Sequence, residues 1–581
     1  MWTGRVQVEG AIDAFRSRVN GSSEPARQAS DAATASQLAS GRHLQKQLER
    51  LELGAGIALT AAACALHLTF FLRAGGLWRD EVVSFNVAAQ PTLAQMHEAV
   101  RFDSFPNLFH LVLRGWLSLG GGSSDLATRG LGLAIGLLVL GSFWWNARVF
   151  ESRVPLFSLL LLGVSGLFVR TTDAVRAYGL GIFFIALAFG SIWQVATKPS
   201  LRSVLLATGA AVLSVQALYQ NAFLLGAICL GGALVCVRQQ LWRRAALILG
   251  IGLCAALSLG LYLGAMQHLS EIKPLIAARA GLVRILAVAV LALREGSNGR
   301  LCLWLCLVGG YFALAVRALR GSRPKREGSE LVVAYTLASV VIAVAGFFVW
   351  LQVLGFPTQP WYYVPPMALL CLAADAAWPA LLEGVQVARW RAYAVAASGL
   401  LCLAGAYSAV NVRQTNVDLL AARLGQMAQP GDFILVDQWY NGATFNRYFT
   451  GSTPWTTLPP LKDQSLQRLD LFKQFMVEVQ PTAPVERQIA DTLKAGHKVW
   501  LAGGLPLSTK GKPAPELPPA PNSPVGWDHD IYSFVWARHA GELLQSRAER
   551  ASRVELALET PVSGYENLPL WVVQGWRETP K

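Results

Sequence analysis

Two adjacent carboxylates, Asp80 and Glu81, stand just beyond the first long apolar run, within Leu77-Trp78-Arg79-Asp80-Glu81. A further acid, Asp103, follows where the polar segment turns back toward an apolar run at Phe105-Pro106-Asn107-Leu108. A carboxylate at the rim of a membrane helix can act as general base toward an acceptor hydroxyl or amine. It can also hold a divalent cation against a phosphate. Spacing alone leaves both roles open, and the plain alternative is that these acids solvate a helix end. Trp78 beside them is an interfacial aromatic, which puts the pair at membrane-surface depth. A divalent cation is the one cofactor these residues would call for, and no metal-ligand set is assigned. His97 and His110 flank Asp103, and His268 lies in a later polar loop.

The elements that must position these groups are membrane helices. Of 581 residues, 53% are hydrophobic and 15% charged, too apolar a balance to cover a soluble protein of this length. The apolar residues gather in runs long enough to cross a hydrocarbon core of roughly 30 Å. Eleven runs read as spans: 54–72, 125–147, 154–170, 175–197, 201–219, 222–237, 244–264, 300–318, 331–352, 362–383 and 392–411. Two shorter ones, 106–119 and 281–293, read as re-entrant or interfacial. With those two outside the count, Arg148, Arg153, Lys198, Arg202, Arg238, Arg243, Arg244 and the cluster Arg317–Arg326 share the cytoplasmic side. Either count, eleven or thirteen, is odd, so with the basic residues before 54 holding the N-terminus inside, the C-terminus lies outside.

The formal charge of +14 follows from those basic loops. No basic stripe with interleaved aromatics is present, so nucleic acid is not an expected partner. The eight cysteines all lie in apolar runs and read as small buried hydrophobes, without disulfide or zinc spacing.

The chain divides into a polar N-terminal tail (1–53), a membrane domain (54–411) whose first polar loop is 73–124, and a C-terminal domain (412–581). In the last part, Phe433–Val436, His497–Ala502 and Ile531–Trp536 read as strands and Asn441–Phe449 as a helix, with a Pro-rich loop over Leu505–Pro524. Strands alternating with helices predict a small α/β domain with a partly parallel sheet. Isolated polar residues within runs have plain readings: His67 as packing, Asn221 as a cap, and Asp375 as an acid near the inner end of its span.

At this point a resemblance enters. Trp78-Arg79-Asp80-Glu81, then Asp103-Ser104-Phe105-Pro106-Asn107-Leu108-Phe109-His110, resembles the opening of the protein O-mannosyltransferase superfamily. That is glycosyltransferase family 39 and its bacterial relatives, including the lipid A aminoarabinose transferase. Asp173-Ala174-Val175-Arg176-Ala177-Tyr178 and Trp361-Tyr362-Tyr363-Val364-Pro365 are similar to two later elements of that superfamily. The resemblance runs in order over about 54–411. It implies an all-α polytopic bundle with the C-type glycosyltransferase fold and an extracytoplasmic α/β domain, in a bacterial inner membrane.

The implied activity is inverting transfer of a sugar from a polyprenyl-phosphate donor to a protein, lipid or glycan acceptor. Asp80 would be the base, Glu81 would orient or assist, and Asp103 would support the acceptor site. Arg176 and Tyr178 would shape the donor pocket, with Trp78, Arg79, Pro106, Asn107, His110 and Tyr362 as further substrate-binding positions. The departing phosphate needs cationic stabilisation, for which Arg176, Lys273 and Arg279 are candidates. The sequence departs from the superfamily pattern at three points. Phe105 replaces a histidine, Asn107 the second proline, and Trp361 the late arginine.

Two other classes fit parts of the pattern. A flippase or transporter of polyprenyl-linked or amphipathic substrate would use the same helices, but should show internal repeats or paired broken helices. A membrane-anchored assembly factor would work through 412–581, for which this many spans is excessive.

Overall fold

The computed structural model describes Gln47 and residues 49–275, 281–320, 328–381, 385–507 and 513–579. The tail as far as Lys46, Arg279 and most of the Arg317–Arg326 cluster lie outside the described residues. Among the described residues, eight helices are long and apolar enough to cross a membrane: Glu49–Arg73, Asp125–Val149, Tyr178–Thr197, Asn221–Arg238, Trp242–Ala265, Asn298–Arg320, Ser329–Leu354 and Pro360–Leu381. Leu201–Ala217 and Ala397–Val410 are apolar but shorter. The chain is a multi-pass membrane protein.

The run at 154–170 departs from its expectation as one continuous span. It is broken into Leu156–Ser158, a π-helical turn Leu159–Gly163, and Gly166–Thr172. Breaking a helix in an apolar interior frees backbone groups that must find partners inside the protein. Asp375 supplies them at one end, accepting from the Phe157 and Ser158 amides at 2.9 Å each. Arg300 supplies them at the other, donating to the carbonyls of Leu161 and Val164 at 2.5 and 2.8 Å. Asp375 therefore caps a helix from within the bundle. The two short runs form helices of 10 and 13 residues, Asn107–Trp116 and Leu282–Arg294. At 1.5 Å per residue each is too short to cross.

Close helix approach is bought with glycine. A Cβ on Gly136 would stand 1.9 Å from Asp173 Oδ1 and 2.7 Å from His67 Nδ1. That space lets His67, in the first span, bond Asp173 at 2.7 Å with both side chains buried. His67 is thus a partner of the 173–178 turn and not a packing residue. Asn221 likewise reaches inward, donating to the carbonyls of Gly181 and Ser214.

The C-terminal domain is a five-stranded sheet ordered β2-β1-β3-β5-β4, with β1 Phe433–Val436, β2 Trp455–Thr457, β3 Val499–Ala502, β4 Ala548–Val554 and β5 Leu570–Trp576. β1 is parallel to β2 and β3, and β5 is antiparallel to β3 and β4. The central strands β1 and β3 are buried at every position, which is why both read as short apolar runs. Ile531–Trp536, expected as a strand, lies instead inside the helix His529–Arg547. Its aromatic and β-branched residues favour strand locally. The burial of Tyr532, Trp536, Ala540 and Leu544 at a spacing of four wins, because that face packs on the sheet.

Candidate active site at the junction of bundle and C-terminal domain

The first loop is built around one buried ion pair. Past the first span the chain turns at Gly75, whose φ of +68° favours glycine. This aims the carbonyls of Gly75 and Gly76 at Arg129, which donates to them at 3.0 and 2.7 Å. The same guanidinium donates twice to Glu81, at 2.9 and 2.7 Å. Glu81 also accepts from the amides of Trp78 at 3.3 Å and Val175 at 3.0 Å. The Glu81 and Arg129 side chains are 0% and 2% exposed. Glu81, predicted among the catalytic residues, therefore has no face left for a substrate. It fixes the start of helix Arg79–Ala88 and ties it to the 173–178 turn.

Asp103 is committed in the same way. It accepts from Ser84 at 2.7 Å, His110 at 3.0 Å and Arg176 at 2.9 Å, and its side chain is 3% exposed. Burial by itself would raise its pKa, but the Arg176 guanidinium, then His110 and Ser84, hold it well below the ordinary carboxylate range. Arg176 in turn lies 4.4 Å over the Phe105 ring and donates to the Asp80 carbonyl at 2.8 Å. Phe105 thus serves as the stacking face for the arginine.

Asp80 differs from both. Its side chain is 20% exposed. Its Oδ1 accepts from Arg79 at 3.0 Å and Gln467 at 3.3 Å, and among the described residues Oδ2 has no hydrogen-bond partner. Asp80 lines a cavity of about 280 Å³ together with Trp78, Arg170, Arg176, Tyr178 and Trp361. Gln414 and Tyr565, from the chain beyond the bundle, complete it.

Of the predicted substrate-binding residues, Trp78, Arg176 and Tyr178 reach the cavity, and the others do not line it. Pro106 caps helix Asn107–Trp116. The Asn107 side chain bonds His97 at 2.6 Å, and its amide donates to Tyr262 at 3.1 Å. His110 is buried on Asp103, and Tyr362 sits behind Tyr178 at 6.2 Å between ring centroids. Lys273 is exposed and donates to the Val353 carbonyl. Arg79 lies 4.6 Å over the ring of Tyr440.

Arg170 was absent from the predicted set. It stands in the broken span, bonded through one nitrogen to Ser563 at 3.3 Å. The available signal was an arginine inside an apolar run six residues before Arg176. Nothing local marks Gln414 or Tyr565.

The cavity offers poor footing for a divalent cation. Its lining carries two guanidinium groups, and Glu295, the other acid there, is already bonded to Ser165, Leu167 and Arg300. Among the described residues, Asp528, His529 and Asp530 bring ligand atoms within 4.8 Å of one another, but none of the three lines the cavity.

Two C-terminal carboxyls near this junction are pushed up to about 7 by burial, Asp437 after β1 and Glu566 in the β4–β5 connection. Both bind a proton more tightly folded than unfolded. Their contribution to stability is then fully present below the usual carboxylate range, falls as pH rises from there through about 7, and levels off above. The melting temperature of the solubilised protein is expected to drop between about pH 5 and about pH 8. The slope should be shallower in the Asp437→Asn, Glu566→Gln double variant. An unchanged slope in that variant would count against it.

No protein-family model and no curated protein matches the chain. Several solved structures do. ArnT from Cupriavidus metallidurans, bound to undecaprenyl phosphate, superposes with a TM-score of 0.46 at 14% identity, over 77% of this chain and 93% of that one. Its apo state gives the same score and identity. An oligosaccharyltransferase from Archaeoglobus fulgidus, in complex with zinc and sulfate, gives 0.42 at 11%, over 76% of this chain and 68% of that one.

Proposed function

We propose that this chain is a membrane glycosyltransferase that moves a sugar from a polyprenyl-phosphate donor to an acceptor hydroxyl or amine, with inversion at the anomeric carbon. The observation that carries the reading is Asp80: among Asp80, Glu81 and Asp103 it is the one with an unbonded oxygen among the described residues, at a cavity that also holds the Arg170 guanidinium. Asp80 takes the proton as the acceptor oxygen or nitrogen bonds to the anomeric carbon. The bond from that carbon to the phosphate oxygen breaks, and its electron pair stays on the phosphate. Phosphate is a good leaving group, so no second carboxyl acid is needed. Arg170 supplies the charge that stabilises it, since Arg176 is largely neutralised by Asp103. Glu81 and Asp103 act by positioning.

The grouping of Arg148, Lys198 and Arg202 around one cavity at the far end of the bundle supports a cytoplasmic placement of that end. The catalytic cavity and the C-terminal domain then face the opposite side, where polyprenyl-linked sugars are presented to acceptors. The test is transfer by the purified full-length protein in proteoliposomes, from a panel of undecaprenyl-phosphate sugars to a cell-envelope extract. The expected result is release of undecaprenyl phosphate with a product of opposite anomeric configuration by NMR. A product that retains configuration, or no release from any donor, would overturn the reading.

A further inference from the structure

The connection between β4 and β5 leaves the sheet and is fastened at many points. Arg413 and residues 561–563 pair as extended backbone, through Arg413 N to Pro561 O at 2.9 Å and Ser563 N to Arg413 O at 2.8 Å. Asn416 bonds both the amide and the carbonyl of Leu568. Glu566 accepts from Thr444 at 2.7 Å and from the amide of Arg79 at 3.2 Å, at the start of the helix that carries Asp80.

The residue held by these ties is Tyr565. Its side chain is left 46% exposed, although it stands 5.3 Å from Trp361 and 6.0 Å from Trp78 between ring centroids. Gln414 lines the same cavity and is 7% exposed, and among the described residues its buried Nε2 has no hydrogen-bond partner. Its backbone is pinned to the Ala74 carbonyl at 2.7 Å. A buried donor left unpaired is costly unless a ligand satisfies it. An exposed aromatic face beside it is a platform for an apolar surface. A pyranose presents both: hydroxyl oxygens that accept, and a ring face of C–H groups that stacks.

We infer that Gln414 and Tyr565, with Trp361, form the subsite that takes the sugar of the donor, a pyranose with a hydroxyl oxygen directed at Gln414 Nε2. This rests on the glycosyltransferase reading and deepens it. The bundle supplies the base and the phosphate contact, and the chain beyond the bundle supplies discrimination between sugars. Glu566 is a positioning residue in this arrangement, holding Tyr565 against the helix that bears Asp80.

The experiment uses the full-length protein in lipid nanodiscs. Its probes are undecaprenyl phosphate alone and the same lipid carrying glucose, galactose, mannose or 4-amino-4-deoxyarabinose. Tyr565→Ala and Gln414→Leu are expected to bind undecaprenyl phosphate as the wild type does. They should bind the preferred sugar-bearing lipid roughly tenfold more weakly, the size of effect that one stacking contact or hydrogen bond carries. KM for that donor should rise by a similar factor while kcat changes little. Tyr565→Phe keeps the ring and should stay within about twofold of wild type. Wild-type discrimination retained in both variants would overturn the inference. So would an equal loss of affinity for both kinds of lipid, which would mark a merely structural role. A wild type that transfers none of the sugars would instead sink the glycosyltransferase reading, and this inference with it.

Discussion

Replacing Asp80 with Asn should reduce sugar transfer by about a thousandfold or more, while expression, melting temperature and donor binding stay close to wild type. General-base assistance contributes typically 10²–10⁴-fold. Asn is isosteric and can still accept from Arg79 and Gln467 through its carbonyl oxygen, so the loop geometry should survive. What it lacks is a lone pair basic enough to take the acceptor proton. The loss should therefore fall on kcat, with donor KM nearly unchanged, as expected when an interaction made only in the transition state is removed. Activity within tenfold of wild type would remove Asp80 from the chemistry. The neighbouring carboxylates could not take its place, because every face of Glu81 and Asp103 is occupied.

The second large effect is on folding. Arg129→Ala leaves Glu81 ionised in an interior where both side chains are almost fully buried. Breaking one side of such a pair costs about 3–5 kcal/mol. The same change strips donors from Gly75 and Gly76, so the turn that presents Asp80 loses its support as well. The variant is expected to accumulate poorly, and its detergent-solubilised form to melt well below the wild type in thermal unfolding. Glu81→Gln should also destabilise, because its single amide oxygen can keep either the Arg129 and Val175 donors or the Arg129 and Trp78 donors, while its NH2 faces the other pair. If Arg129→Ala melts like the wild type, the ion pair is not what holds the loop.

The membrane character, the helical runs and the acidic opening of the first loop could be read from the chain alone. Each is written in local composition: an apolar run must be long enough for the bilayer, and a carboxylate outside it needs no distant partner to be noticed. β1 and β3 were legible for a similar reason, as short apolar runs bounded by turns. The roles within the acidic pair were not. Asp80 and Glu81 are adjacent and chemically alike, and what separates them is a guanidinium 48 residues away that claims one of them.

The helix at Ile531–Trp536 and the break in the span at 154–170 were equally hidden. Local propensity favours strand in the first and an unbroken helix in the second, and packing overrides both. Arg170 needed the bundle to show which way it faces, and Tyr565 needed the whole fold. It comes 485 positions after Asp80 in the numbering, and only the docking of the β4–β5 connection onto the Asp80 helix brings it to the cavity. Composition and periodicity determine which segments enter the membrane and which side chains could react. The choice among those side chains was made by long-range pairing, because a carboxylate's chemistry depends on whether another group has already taken its oxygens.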